Sequence, residues 1–420
     1  MVDGQEWDWE ISEKKVAFSA WNDEFRWVEE PYASPDGEAV AAVVNVSEME
    51  FSVCVNGTAW DAVYDKAWHL RYLPDGRLAA LVSEVGEWTV AVDGTPWENR
   101  FGYVWNPLFS ENGGALAVAA QQDMRYCMVL NGVPWDRSYA NMTYFALSPC
   151  GTRTAAAVQV KDADSGEIHK FKKGTFTAAL DGKAWDEVFL NVWGLAISED
   201  GQHLAAEVRR NLYEYTVAVD GIAWEQRFGC VWEPIFRPGT VDVVAPVRHQ
   251  GMWTLAENGD FLWDRRFVQL WQPAFGPDGK KLAAIVAPTF GRWTVAVDGT
   301  PWAATFGDMV TDITFSPDGR RLAALAKEGP VWKIVVDGRA WSNGFDMAWP
   351  PVFSPDGETV AARVQKDGRF LFAVNDHVDQ RAMEAAWDPV FSPDGSRLLL
   401  RSVEAGIYYR RVVAVRDFGL

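Results

Sequence analysis

The chain has 420 residues, 39 Lys and Arg against 58 Asp and Glu, a net charge of −19, 48% apolar residues and 23 tryptophans. That balance excludes the basic face that a phosphate backbone demands and adhesion to an anionic lipid surface. It is compatible with a basic protein partner, drawn by the opposite field.

The opening Met-Val-Asp-Gly-Gln-Glu-Trp-Asp has neither the basic nor the apolar region of a signal peptide, and no run of 18 apolar residues follows. Cys54, Cys127, Cys150 and Cys230 are scattered without C-x-x-C spacing, so they fit a reducing compartment and make neither a disulfide framework nor a metal site. A cytoplasmic protein is expected.

In chain order, residues 7–11 and 16–25 read as later strands of a repeat whose beginning lies elsewhere. The first turn, Ser-Pro-Asp-Gly at 34–37, returns at 316–319, 354–357 and 392–395, with variants at 73–76, 110–113, 148–151, 198–201 and 276–279 and a degenerate copy at 237–239. The closing glycines fall 37 to 40 residues apart, except for 50 between Gly151 and Gly201. Proline presets φ and glycine supplies φ > 0, so each tetrad predicts a tight turn. Between tetrads stand Asp-Gly or Asn-Gly pairs, at Asn56, Asp93, Asn131, Asp181, Asp220, Asn258, Asp298 and Asp337. Flanked by apolar runs, these pairs are the strongest short hairpin signal.

The unit from 73 to 109 shows what lies between turns: Leu78-Ala-Ala-Leu-Val82, then Trp88-Thr-Val-Ala-Val92, a short piece around Trp97, and a last strand through Trp105 to Phe109. Both parities of these strands are apolar, whereas a free antiparallel sheet shows one polar face. Four-stranded units of about 40 residues stacked face to face describe an all-β fold of propeller blades. Residues 396–403 and 408–415 supply second and third strands of a last unit, which the N-terminal strands would complete. The expectation is one β-propeller domain spanning 1–420, with blade turns near 37, 76, 113, 151, 201, 239, 279, 319, 357 and 395. About ten blades would form one ring, closed by joining the N- and C-terminal strands, with two smaller propellers as the alternative. The long interval carries a polar insertion at 161–173, predicted to extend a hairpin, with Lys170, Lys172 and Lys173 as candidate partner-binding residues.

Two tryptophan columns recur in phase. The first follows the hairpin glycine by three residues: Trp60, Trp97, Trp135, Trp185, Trp224, Trp302 and Trp341, with Trp263 one further on, Trp21 near the amino end and Asp379 standing in the ninth unit. It is expected to pack between blades. The second, Trp68, Trp105, Trp193, Trp232, Trp271, Trp349 and Trp387, precedes a strand start, often as Trp-x-Pro. If that strand lines a central channel, these rings form a protein-binding mouth.

No H-E-x-x-H, C-x-x-C-H, G-x-S-x-G or P-loop occurs, and His69, His169, His203, His249 and His377 fall in different phases of the repeat. No catalytic, cofactor or metal residue is assigned. The hairpin aspartates are read as caps of their own turns. Two functions from different classes follow: a non-catalytic interaction scaffold, or a propeller enzyme acting on a small molecule in its channel.

The Phe-Ser-Pro-Asp-Gly turn at 353–357 followed by an Ala-Ala strand resembles the WD40-like repeats of TolB-type propellers, which implies fold and little about function. The tryptophan columns, typified by Trp224 with Trp232 and Trp341 with Trp349, together with the length, also resemble the tryptophan-rich D subunits of the Tmc transmembrane electron-transfer complexes of sulfate-reducing bacteria. That resemblance implies a cytoplasmic subunit held at the inner membrane face by a cytochrome b and an iron–sulfur protein. This chain would dock and assemble rather than conduct electrons.

Overall fold

A computed structural model describes residues 7–111, 113–161 and 174–418; of the predicted extension at 161–173, residues 162–173, with Lys170, Lys172 and Lys173, lie outside them. Among the described residues the strands form ten antiparallel sheets of four-stranded type, the blades of a β-propeller. One compact unit holds Phe25–Pro35 and Ala41–Leu262 and carries the six blades at 27–59, 66–96, 103–134, 142–184, 191–223 and 230–261. The other holds residues 7–24, Asp36–Val40 and 263–418 and carries the blades at 269–301, 309–340, 347–378 and 385–414.

Within a blade each strand pairs with the next in sequence. Tyr103–Phe109 pairs with Leu116–Gln122, that strand with Arg125–Leu130, and that one with Val133–Pro134. The second strand is buried on both sides, as its two apolar parities require. In Leu78–Glu84, Leu78, Ala80 and Val82 pack with Ala41, Val43 and Val53 of the preceding blade. Ala79 and Leu81 pack with Leu116, Val118 and Ala120 of the following one.

The two turns hold the blade by different bonds. In the Ser-Pro-Asp-Gly turn the Gly319 N–H donates to Ser316 O at 2.8 Å, the Ser316 hydroxyl to Asp318 Oδ1 at 2.6 Å, and the Arg320 N–H to the same oxygen at 3.0 Å. These donors hold the Asp318 carboxyl below its ordinary range. At the second turn Asp93 and Gly94 both have positive φ, 48° and 80°, the type I′ pattern. The Asp93 carboxylate does not cap its own turn, as the sequence suggests. It accepts the Leu78 N–H at 2.8 Å, at the start of the second strand, and Asn131, Asp181, Asp220, Asn258, Asp298, Asp337 and Asn375 repeat that bond.

The first tryptophan column sits under these turns. A Cβ placed on Gly132 would lie 3.2 Å from the Trp97 ring. Gly94 stands over Trp60, Gly182 over Trp135, Gly221 over Trp185 and Gly338 over Trp302 in the same way. Each ring therefore braces the hairpin of the following blade. The ninth blade departs twice. Asp376 takes the glycine position at φ 68°, and Asp379 stands where tryptophan is usual. The Asp376 carboxylate accepts the Ser342 N–H at 2.7 Å, the Ser342 hydroxyl at 2.5 Å and the Asn343 N–H at 3.1 Å, which offsets its left-handed backbone.

The amino end joins the last blade, but not with the strands expected at 7–11 and 16–25. Ser12–Val16 is the fourth strand and pairs with Ile407–Ala414, while residues 18–24 form short helical turns with Trp21 buried. The polar Glu13-Lys14-Lys15 run carries no apolar alternation because it is an edge strand. This blade is fastened by buried arginines. Arg410, 1% exposed, ion-pairs with Glu38 at 2.9 Å and donates to Asp36 O at 2.9 Å and Asp8 O at 2.5 Å. Arg411 donates to Glu13 at 2.6 Å and pairs with Glu404.

Two outcomes are expected in thermal melts. Gly132→Ala and Trp97→Ala each lower Tm, the first by about 1–2 kcal/mol through backbone strain and contact with the ring. The second costs about 2–4 kcal/mol through the space left under the turn. Arg410→Ala costs about 2–4 kcal/mol and Arg410→Lys does not restore it, because an ammonium cannot span Glu38 and two carbonyls.

Candidate functional site

The second tryptophan column lies on the first strand of seven of the ten blades; that strand ends its sheet and pairs only with the second strand among the described residues. Its residues pair with the fourth position of the second strand: Trp68 with Leu81, Trp105 with Ala119, Trp193 with Glu207, Trp271 with Ile285. At the next residue the strand bulges, with positive φ at His69, Asn106, Gly194 and Gln272. At Trp232, Trp349 and Trp387 the strand breaks into two short pieces, whereas Trp105-Asn-Pro and Trp271-Gln-Pro lie within single bulged strands.

The sequence reading missed a third column behind the second, aromatic in all ten blades: Phe51, Trp88, Tyr126, Phe176, Tyr215, Trp253, Trp293, Trp332, Phe370 and Tyr408. Its signal was present, because eight of these residues pair by an isolated bridge with the residue 13 positions on, as Trp88 does with Phe101. Every second-column tryptophan rests on a third-column ring. Centroids lie 4.8 Å apart for Trp68 and Trp88, 6.0 Å for Trp105 and Tyr126, and 6.1 Å for Trp193 and Tyr215. The spacings are 5.6 Å for Trp232 and Trp253, 4.3 Å for Trp271 and Trp293, 5.3 Å for Trp349 and Phe370, and 5.9 Å for Trp387 and Tyr408. Trp68 and Trp232 remain 42% and 43% exposed, while the other five are half-buried.

In the blade at 27–59 the second-column position is Glu29, whose N–H donates to Val43 O. With no tryptophan over it, Phe51 forms part of a cleft of about 610 Å³ lined also by Trp27, Met49, Lys66 and Trp68. Trp27 is 49% exposed. The Lys66 ammonium lies 5.4 Å from the Trp68 ring and 5.8 Å from Trp88, a cation–π arrangement. Burial, then the neighbouring Glu30 charge, raises the Glu29 carboxyl above its ordinary range. The cleft thus combines broad aromatic walls with one lysine, Lys66, and two acidic residues, Glu29 and Asp65, a surface suited to an apolar side chain on a polar backbone.

Charged residues replace the apolar one at the fourth second-strand position in three blades. In the second unit, Arg363 lies 4.2 Å over Trp349 and donates to Asp388 Oδ1 at 3.0 Å and Ala386 O at 2.7 Å. Arg401 donates to Asp388 O at 2.8 Å. In the first unit Glu207 takes that place, where other blades carry Val43, Leu81, Ala119 and Ala157. Burial, then the charge of Glu233, pushes its carboxyl up to about 8.

Among the described residues no group of three or more His, Cys, Asp or Glu is placed to hold a metal ion. His203 Nδ1 meets Asp220 at 2.6 Å, an isolated surface pair.

No protein-family profile matches the chain, and no curated protein does. Among solved structures it is similar to a eukaryotic initiation factor, at 15% identity over 78% of this chain and 90% of that one, with a TM-score of 0.44. It is also similar to the Dos1 propeller, at 12% identity over 64% and 92%, with a TM-score of 0.32. A third is the Cps50 (Swd1) β-propeller domain of Myceliophteria thermophila, at 15% identity over 66% and 98%, with a TM-score of 0.30. The likeness concerns fold alone.

Stability should report the Glu207 environment. Its folded pKa lies above the unfolded value of 4.5, so the folded state holds the extra proton between pH 4.5 and 8 and stability falls as pH rises through that window. The upper bound is about 5 kcal/mol. Glu207→Leu should raise Tm at pH 8 and flatten the decline, as measured by melts from pH 4.5 to 9.

Proposed function

We propose that this chain is a non-catalytic interaction scaffold, docking a protein partner through the exposed rings of its first strands. The observation that carries the reading is the cleft beside Trp27 and Trp68, where Glu29 stands in place of a second-column tryptophan and leaves Phe51 uncapped. Exposed aromatic surface of this kind is costly in a protein without a partner and characteristic of binding hot spots. The charge of −19 favours a basic partner and speeds encounter with it.

The narrower reading is a subunit of a membrane-associated respiratory electron-transfer complex, with cytochrome b and iron–sulfur partners. Two points support it. The tryptophan columns resemble those D subunits, and loops of membrane proteins on the cytoplasmic side are rich in Lys and Arg. Among the described residues no helix is long and apolar enough to cross a membrane, so such an association would run through partner chains.

The test is affinity purification of the tagged chain from native membranes beside Trp27→Ala, Trp68→Ala and Trp232→Ala variants whose melting temperatures match the parent. Stoichiometric partners lost at least tenfold in the variants are expected. Partners retained equally by all four chains would overturn the docking surface. Absence of cytochrome b and iron–sulfur proteins among them would remove the respiratory reading alone.

A further inference from the structure

Glu207 is 6% exposed, and among the described residues its carboxyl has neither a hydrogen-bond nor an ion-pair partner. The little exposure it keeps leaves its carboxyl oxygens reachable from solvent. Packing gives no reason for it, since Leu, Ala or Ile serves at the same position of neighbouring strands. The groups around it are few. Across from it stands Trp193, paired with Glu207 in the ladder. Next to Trp193 is Gly194, and a Cβ there would lie 2.7 Å from Glu233 Cγ, so the absent side chain lets Glu233 of the following blade lie over this spot. Glu233 is exposed and repels Glu207. Cys230 also faces Glu207, its thiol raised by burial and then by that carboxylate. Arg248, paired with Cys230 in the ladder, directs its Nε to Gly251 O at 3.4 Å. The exposed Trp232, stacked on Trp253 at 5.6 Å with 5° between planes, adjoins Glu233. Two carboxyls therefore stand near each other, Glu207 on a buried residue opposite Trp193 and Glu233 beside Trp232 in the chain, with no cation paired to Glu207 among the described residues.

We infer that Glu207 and Glu233, with Trp193 and Trp232, form a receptor for a lysine or arginine side chain of a protein partner. A long aliphatic stem lies along the indole faces and carries the cation past the exposed Glu233 to the buried Glu207. The bound cation meets an ionised Glu207, so each binding event expels the proton that the free site holds at neutral pH. The inference depends on the docking reading for its physiological partner, but its chemistry is tested separately.

The probe is an acetylated, amidated Gly-Lys-Gly peptide, with Arg and norleucine counterparts, titrated into the full chain by calorimetry and tryptophan fluorescence. The Lys and Arg peptides should bind and shift the indole emission, and the norleucine peptide should not. Affinity should rise by up to about tenfold per pH unit below pH 8 and level off above it, with proton release visible as a dependence on buffer ionisation heat. Glu207→Gln, nearly isosteric, should abolish the pH dependence and weaken binding at least tenfold at pH 8.5. Glu233→Gln should weaken it less. Equal binding of the norleucine peptide, a pH-independent affinity, no binding at all, or full affinity in Glu207→Gln would each overturn the inference. Partner capture that survives Glu207→Gln but fails in Trp68→Ala would leave the docking surface standing and remove this receptor alone.

Discussion

The molecule depends on one constraint: the second strand of every blade is greasy on both sides and must find a neighbour for each. Leu78, Ala80 and Val82 serve the blade before, and Ala79 and Leu81 the blade after. Because side chains alternate with a period of two, a shift of one residue would exchange the two sets and bring large against large. The hairpin carboxylates and amides, bonded to the first N–H of that strand, hold this register. Variation is then confined to the free-edged first strand, the loops and the few second-strand positions where the rule is broken.

Both kinds of variation bear on recognition. Ten aromatic side chains form an unbroken third column, and seven tryptophans cover it. Where Glu29 replaces the cover, a cleft results. Glu207 breaks the rule in the strand that otherwise tolerates no polarity, and the structure provides no partner for it. Arg363 and Arg401 break it too, but Arg363 donates to the Asp388 carboxylate and Ala386 O, and Arg401 to Asp388 O. The arginines are tied to protein groups of their own blades, whereas Glu207 meets none, which separates a structural substitution from a candidate binding group.

Much of the fold was legible because turn chemistry and two-sided burial both leave marks in sequence. Ser316-Pro-Asp-Gly319 and Asp298-Gly299 locate turns, and Leu78-Ala-Ala-Leu-Val82 announces a strand without a wet face. The amino-terminal strand was misplaced because Ser12–Val16 is an edge, where polar residues are tolerated and no pattern survives. The roles of the aspartates were misread because their partner lies some 15 residues back, beyond the reach of local turn rules. Less of the candidate site could be read. The third column hid because Phe, Tyr and Trp alternate in it. Glu207 was overlooked as a single letter in Leu204-Ala-Ala-Glu-Val208, visible only when the second strands are set beside one another.

The pairing of Ser12–Val16 with Ile407–Ala414 has a consequence for biogenesis. On a ribosome Ser12–Val16 emerges about 390 residues before the strand it pairs with. Closing so long a loop is slow, though thermodynamically modest, at about 0.6 kcal/mol for each doubling of length. Until the next blade forms, the newest sheet of the stack leaves one apolar face uncovered, which invites sticking to other nascent chains. The short, lysine-bearing Glu13-Lys14-Lys15 segment suits that wait, being too polar to pair with a wrong partner in the meantime.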